Sequence, residues 1–372
     1  MVDTPRDAYT SVPGATRGGA FDALRSASGN AAYRASQGLR TVWYGALYGI
    51  IRRRAGGFTR PGEPPFRPSR GQPDISVMRK AFADLLSADR QNIAEGLYPA
   101  PRAVDLTGAL RTVLQGPKLL REAGVVEERR KARRGTEVRQ LPETERYPTY
   151  YRQNFHYQSD GWFSGEGADL YDGQVEILFT GAADAMRRMA LAEITRRLKG
   201  RDQRKVHLLD VAGGNGRFLS QVMELYPKLR ASLLDLSPAY TARARERLAP
   251  WPQVDVVEAQ AENMPVPDSS QDLVVSIYLF HELPPKIRPQ VFAEIARVLK
   301  PGGAFVFADS LQFGDNPPLD GLLEYFPEGF HEPYYRSYLG EDFTAMAQSA
   351  DLRPADDGQA HFLTKVRVFE KV

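Results

Sequence analysis

The chemistry-bearing residues of this chain fall into one glycine-rich turn, a few placed acids and five histidines, with no cysteine at all. The run Leu208–Leu209–Asp210–Val211–Ala212–Gly213–Gly214–Asn215–Gly216–Arg217–Phe218 reads as a buried strand ending in a turn that opens a helix. Missing Cβ atoms let the backbone come close to a ligand, and a helix N-terminus offers free N–H groups. A carboxylate or a phosphate fits such a turn. Asp235 lies 19 residues beyond Gly216, at the end of the next expected strand, where an acid accepts hydrogen bonds from ribose hydroxyls. The pair points to a nucleoside-containing cofactor. A dinucleotide fingerprint needs a third glycine for close helix–strand packing, and counting from Gly214 and Gly216 that position is Leu219. The dinucleotide reading fails there.

The glycine run resembles motif I of class I S-adenosylmethionine-dependent methyltransferases of the small-molecule type, and the likeness extends over Val206–Val372. Asp235 matches the family's ribose-binding acid. Ala259–Gln260–Ala261–Glu262–Asn263–Met264–Pro265 is similar to the adenine-binding turn after the third strand, and Leu299–Lys300–Pro301–Gly302–Gly303–Ala304 to the turn into the fifth. The resemblance implies S-adenosylmethionine as cofactor. It implies that Asp210 orients the methionyl end through Ala212 and Gly213, and that Gly214 and Gly216 give backbone access. Asp235 and Leu236 would hold the ribose, Gln260 and Ala261 would meet the adenine, and Tyr278 would flank the cofactor. Two positions depart from the pattern. Ala212 stands where the first glycine is commonest, and Gln260 where an acid often meets the adenine amino group, although its amide oxygen still accepts that bond.

Methyl transfer from a sulfonium is an in-line displacement that needs no enzyme nucleophile and no metal; alignment is the protein's main contribution. A hydroxyl acceptor also needs a base. The candidate is His281 in Tyr278–Leu279–Phe280–His281–Glu282–Leu283–Pro284, just past the fourth strand, where ligands of open parallel sheets bind. The position resembles that of the base in plant-type small-molecule O-methyltransferases. A metallohydrolase reading fails because His281–Glu282 lacks a second histidine four residues on. The expected acceptor pocket draws on Tyr151, His156 and Tyr157 from an aromatic run at Tyr147–Phe163. It also draws on Phe330, His331, Tyr334 and Tyr335 from a long connection after the fifth strand. Aromatic walls suit a small organic acceptor, with O-methylation ahead of C- or S-methylation. The rivals are a nucleotide-dependent oxidoreductase and a non-catalytic methyltransferase-like scaffold.

The elements that must position these groups alternate from Val206: strand Val206–Val211, helix Gly216–Leu225, strand Ala231–Leu236, helix Ala239–Leu248, strands Val254–Glu258 and Asp272–Ile277, helix Ile287–Leu299, strand Ala304–Ala308. Such alternation predicts a doubly wound, Rossmann-like α/β sheet, mostly parallel. Helix Glu341–Ala350 and the runs Leu352–Asp356 and Phe362–Phe369, joined at Asp357–Gly358, predict a terminal antiparallel hairpin. Upstream, one long helix is expected over Asp172–Leu198. Helices are also expected at Gly38–Gly56, Ser76–Ala94 and Arg102–Ala132, the last interrupted at Gly116–Pro117, with a Pro/Gly-rich linker or wrap at 57–74.

With 372 residues the chain holds about two domains' worth at roughly 150 residues each. The expected division is a mobile arm over 1–30, a mainly helical region over 31–145 serving as substrate cap, dimer surface or both, and a cofactor-binding domain over 146–372. Residues 1–140 carry 24 Lys/Arg against 13 Asp/Glu, a net +11, so the remainder is at −8. No recognition motif accompanies the basic half, so nucleic acid is set aside and a solvated helix face preferred. Lack of cysteine excludes disulfides, thiolate zinc and iron–sulfur sites. With no signal-like start and no apolar run of about 18 residues, the expectation is a cytoplasmic protein. A peripheral membrane contact through residues 38–56, with Trp43, Tyr44 and Tyr48 at headgroup depth, competes with docking of that helix on the protein's own core.

Overall fold

The computed structural model describes residues 19–55, 62–72, 74–101 and 106–372. Its centre is one eight-stranded sheet: β1 (His207–Val211), β2 (Arg230–Asp235), β3 (Val254–Glu258), β4 (Gln271–Ile277), β5 (Leu299–Ser310), β6 (Leu352–Pro354), β7 (Gln359–His361) and β8 (Thr364–Lys371). Strand order is β3-β2-β1-β4-β5-β8-β6, with β7 also on β8. The first five strands are parallel and β8 is antiparallel to β5. This is the expected Rossmann-like α/β sheet. Because the order reverses between β1 and β4, a crevice opens beyond their carboxyl ends. The terminal hairpin differs in detail. β6 and β7 lie on the same side of β8, so Asp357–Gly358 interrupts the first arm and the tight turn falls at Phe362–Leu363, with Phe362 at φ +59°.

Helices α1 (Gly19–Ala55), α2 (Ile75–Ala94) and α3 (Leu106–Ala132) form the helical N-terminal region. Helix α1 begins inside the segment read as an arm, because alanine is the best helix former and Tyr33 gives it an anchor. Residues 1–18 of that arm lie outside the described residues. The Tyr33 hydroxyl donates to the fully buried Asp89 of α2 (2.5 Å), which also accepts from Tyr98 (2.9 Å) and from both arms of Arg188 (2.9 and 2.5 Å). A buried carboxylate with this many donors ties together helices distant in sequence. Helix α3 runs through Pro117 without the expected interruption.

The single helix expected over Asp172–Leu198 is two: α4 (Gly165–Leu178) and α5 (Ala183–Leu198). The chain turns at Thr180 (φ +50°) and Gly181 (φ +85°), where a Cβ on Gly181 would stand 3.1 Å from the backbone of Arg40. Close passage of α1 therefore dictates the break. Arg40 reaches Glu176 at 2.9 Å, and Tyr44 packs with Leu119, Leu170 and Ile177. Helix α1 thus docks one face on the protein, while Leu39, Val42, Trp43 and Ile50 remain exposed.

The remaining helices, α6 (Arg217–Leu225), α7 (Pro238–Leu248), α8 (Arg288–Val298), α9 (Asp320–Gly329), α10 (Tyr335–Tyr338) and α11 (Phe343–Gln348), connect or follow the strands. The described part of the Pro/Gly-rich stretch wraps onto α9. Ser69 donates through N and Oγ to Glu324 (2.5 and 2.6 Å), and Phe66 meets Tyr325 edge-on at 5.1 Å. No described helix is long and apolar enough to cross a membrane.

Candidate functional site

At the end of β1 the backbone folds back under Asp210. A Cβ on Gly213 would lie 2.6 Å from the Leu233 side chain and 2.8 Å from Asp210 Oδ2, so position 213 admits only glycine. Ala212 (φ +58°), Gly214 (φ +56°) and Gly216 (φ +77°) complete a left-handed turn that aims the amides inward. The Gly214 amide donates to Asp235 Oδ2 and the Ser237 amide to Asp235 Oδ1, both at 2.8 Å. Burial pushes the Asp235 carboxyl up to about 6, with these amides opposing it. Burial and the neighbouring Asp235 push Asp210 up to about 8.

Beside this turn lies a partly open cavity. Ala212, Gly214, Asp235, Leu236, Ala261 and Tyr278 line it, as the motif reading expects. Asp210, Gly213, Gly216 and Gln260 are absent from the lining, which takes Ala259, Ala261 and Glu262 from the turn that holds Gln260. The opposite wall is aromatic: Tyr150, Tyr151, Phe155, Trp162 and Tyr171 arrive from before the sheet and meet Tyr240 of α7. Hydrogen bonds staple this wall down. The Tyr147 hydroxyl donates to Glu258 (3.0 Å), Tyr150 to Glu262, and Ser237 Oγ to the Trp162 carbonyl.

The lining holds Asp235, Glu262 and Glu282 but neither lysine nor arginine. Such walls repel a pyrophosphate and suit a ligand that carries positive charge beside aromatic faces. Asp210 Oδ2 is buried without a hydrogen-bond partner. An ammonium or hydroxyl donor from a ligand would complete it. These residues fit S-adenosylmethionine, with its sulfonium, its ammonium and its ribose diol. They do not fit the oxidoreductase's dinucleotide.

Past β4, His281 is buried and its Nδ1 lies 2.5 Å from Asp309 Oδ1. Asp309, at the end of β5, also accepts from the amides of Phe280 and Ser310, each at 2.7 Å. A carboxylate fixed in this way selects one imidazole orientation. Burial pulls the His281 pKa down, but Asp309, Glu332 and Glu282 outweigh it and raise it to about 9. Tyr335 and Tyr338 present ring edges to His281 at 5.8 and 6.0 Å.

The structure divides the expected acceptor residues. Tyr151 belongs to the cofactor cavity. His156 pairs with Glu332 and lies 3.5 Å from Glu282 Oε1, packed between Trp162 and Phe330 at 5.4 and 5.9 Å. His331 and Tyr157 instead pack on each other at 5.4 Å, with His331 pressed on Gly135, where a Cβ would stand 2.4 Å away. The Tyr334 hydroxyl donates to the Tyr150 carbonyl at 3.3 Å, holding the insert to the aromatic wall. Sequence reasoning assigned no role to Asp309, Glu262 or Glu332. An acid at the carboxyl end of the fifth strand was the available signal for Asp309.

A parallel sheet with this reversal, a glycine turn under a buried acid, and an acidic cation-compatible cavity together fit the class I S-adenosylmethionine-dependent methyltransferase domain that the sequence resembles. Residues 208–303 match the methyltransferase domain family. The chain is 28% identical over 187 residues to malonyl-[acyl-carrier protein] O-methyltransferase of Geobacter sulfurreducens, covering 47% of this chain and 68% of that protein. It is 29% identical over 136 residues to demethylspheroidene O-methyltransferase of Rhodobacter capsulatus (36% and 32%). It is 34% identical over 126 residues to a ubiquinone/menaquinone biosynthesis C-methyltransferase of Methylobacterium nodulans (32% and 48%). The last two matches span half or less of the relative's length.

Proposed function

We propose that this protein transfers a methyl group from S-adenosylmethionine to a small organic acceptor, with a hydroxyl oxygen as the favoured atom. The observation that carries the oxygen assignment is the buried His281–Asp309 pair beside Glu282 and Tyr278, which both line the cofactor cavity. S-adenosylmethionine supplies an electrophilic methyl group when bound. Asp210, Gly214 and Asp235 would hold that ligand, and the aromatic wall would exclude water from it. His281 would take the acceptor's proton, with Asp309 holding the imidazole in place. With no ion bound, Asp309, Glu332 and Glu282 keep His281 charged at neutral pH, so in the ion-free protein the rate on a hydroxyl acceptor rises towards pH 9. The names of the relatives include both O- and C-methyltransferases, which supports the class and leaves the atom to the geometry.

The deciding experiment combines calorimetry with turnover. S-adenosylhomocysteine should bind the native protein and His281→Asn alike, while turnover of a phenolic acceptor panel falls about 10²–10⁴-fold in the variant. Undiminished turnover in His281→Asn removes the base. Failure of the native protein to bind S-adenosylhomocysteine removes the whole reading.

A specific observation also favours a lipophilic acceptor met at a membrane. Leu39, Val42, Trp43 and Ile50 form an exposed apolar stripe on α1, running into the exposed Arg53. Such a face suits an anionic bilayer surface.

A further inference from the structure

Between the cofactor cavity and the insert after β5, three side chains from distant parts of the chain converge. His156, Glu282 and Glu332 each offer one ligand atom, and these atoms lie within 4.8 Å of one another. Glu332 is 4% exposed; its Oε1 sits against His156 Nε2, while its Oε2 has no hydrogen-bond partner, and Glu282 Oε2 is buried and equally unpartnered. Among the described residues, the ion-pair partners of both carboxylates are histidines. With Asp309, three carboxylates, two of them buried and that of Glu282 half-buried, face only two imidazoles. Burying carboxylates without compensation is costly, and with His281 Nδ1 committed to Asp309 the two imidazoles keep at most three N–H donors for the four oxygens of Glu282 and Glu332.

We propose that His156, Glu282 and Glu332 bind one divalent first-row transition-metal ion. Two ligand atoms about 2.1 Å from a metal and roughly 90–110° apart lie about 3.0–3.4 Å from each other. The 3.5 Å between His156 Nε2 and Glu282 Oε1 is close to that spacing, whereas His156 Nε2 and Glu332 Oε1 stand closer and would have to part as the ion enters. One imidazole with two carboxylates suits zinc, manganese or ferrous ion better than magnesium or calcium, which prefer all-oxygen sites. Three protein ligands leave coordination positions open, and Glu282 also lines the cavity. An acceptor oxygen on the ion would become more acidic. That use rests on the methyl-transfer reading above; the binding of the ion does not.

The test is titration of the full-length, chelator-stripped protein with Zn²⁺, Mn²⁺ and Co²⁺ by calorimetry, with the visible spectrum of the Co²⁺ form as a second readout. One ion per chain is expected for at least one of the three, with affinity at least tenfold weaker in Glu332→Gln. S-adenosylhomocysteine binding by Glu332→Gln should match the native protein and so certify its fold. If that variant does not fold, His156→Gln and the Co²⁺ spectrum of the native protein carry the same test. Absence of stoichiometric binding of all three ions, or binding that neither variant weakens, overturns the proposal. Ion binding without methyl transfer to any acceptor would sink the proposed activity and leave the site standing.

Discussion

Asp210, near the end of β1, is buried beside Asp235 at the end of the adjacent β2, and burial first and that neighbour second raise its pKa. The folded protein therefore binds a proton at Asp210 more tightly than the unfolded chain does. Stability from this group is fully present below about pH 4 and is lost as pH rises towards the folded value of about 8. The ligand-free Tm should accordingly fall between pH 5 and pH 8.5. Asp210→Asn should flatten that slope and raise the Tm at pH 8.5 by several degrees, while weakening S-adenosylhomocysteine at least tenfold. Scanning fluorimetry and calorimetry on both proteins check the two halves. A native Tm that rises over this pH range would contradict the buried charge.

The two kinds of glycine in this chain should respond oppositely to alanine. Gly213→Ala places a methyl against Leu233 and Asp210 Oδ2, an overpacking that costs about 1–3 kcal/mol and should abolish cofactor binding. Gly124 of α3 has nothing within 4 Å of a built Cβ, so Gly124→Ala should stabilise by about 0.5–1 kcal/mol. Urea melts of both variants give the comparison, and destabilisation by Gly124→Ala would show that α3 packs differently.

The aromatic wall should control cofactor retention. Tyr150→Phe removes the hydroxyl that donates to Glu262 Oε1 and leaves this half-buried carboxylate without that donor. A hydrogen bond to a charged group is worth about 1.5–3 kcal/mol, so the Kd for S-adenosylhomocysteine should rise about tenfold or more. The dissociation rate, measured by stopped-flow tryptophan fluorescence, should rise in step. An unchanged rate would mean that the wall does not move with the ligand.

What was legible in the sequence follows from how local each feature is. The glycine turn, Asp235 and the alternation of strands are written within short windows, and each reappears in the structure where its spacing places it. The partners of the histidines are not local. His281 meets Asp309 from the next strand, while His156 meets Glu332 from the insert after β5. Gln260 was singled out by register, yet its turn contributes Ala259, Ala261 and Glu262 to the lining, with Tyr150 bonded to Glu262. The break between α4 and α5 was invisible for the same reason. Gly181 in a helical pattern is tolerable until α1 passes within van der Waals reach of it.

Helix α1 carries the remaining prediction. Its inner face is committed, through Tyr44 and Arg40, to α3 and α4. Its outer face presents Val42 at 70% and Leu39 at 63% exposure, with Trp43 and Ile50 beside them. If this stripe meets an anionic bilayer, the protein should float with vesicles containing phosphatidylglycerol and not with phosphatidylcholine alone. Each cation near such a surface contributes about 1 kcal/mol, so Arg53→Glu, a change of two charges, should weaken binding about thirtyfold at low salt. Val42→Asp should weaken it through the apolar term without that salt dependence. A native protein that stays with the unbound fraction, yet dimerises in sedimentation velocity until Val42→Asp is introduced, would assign the stripe to a second copy of the chain.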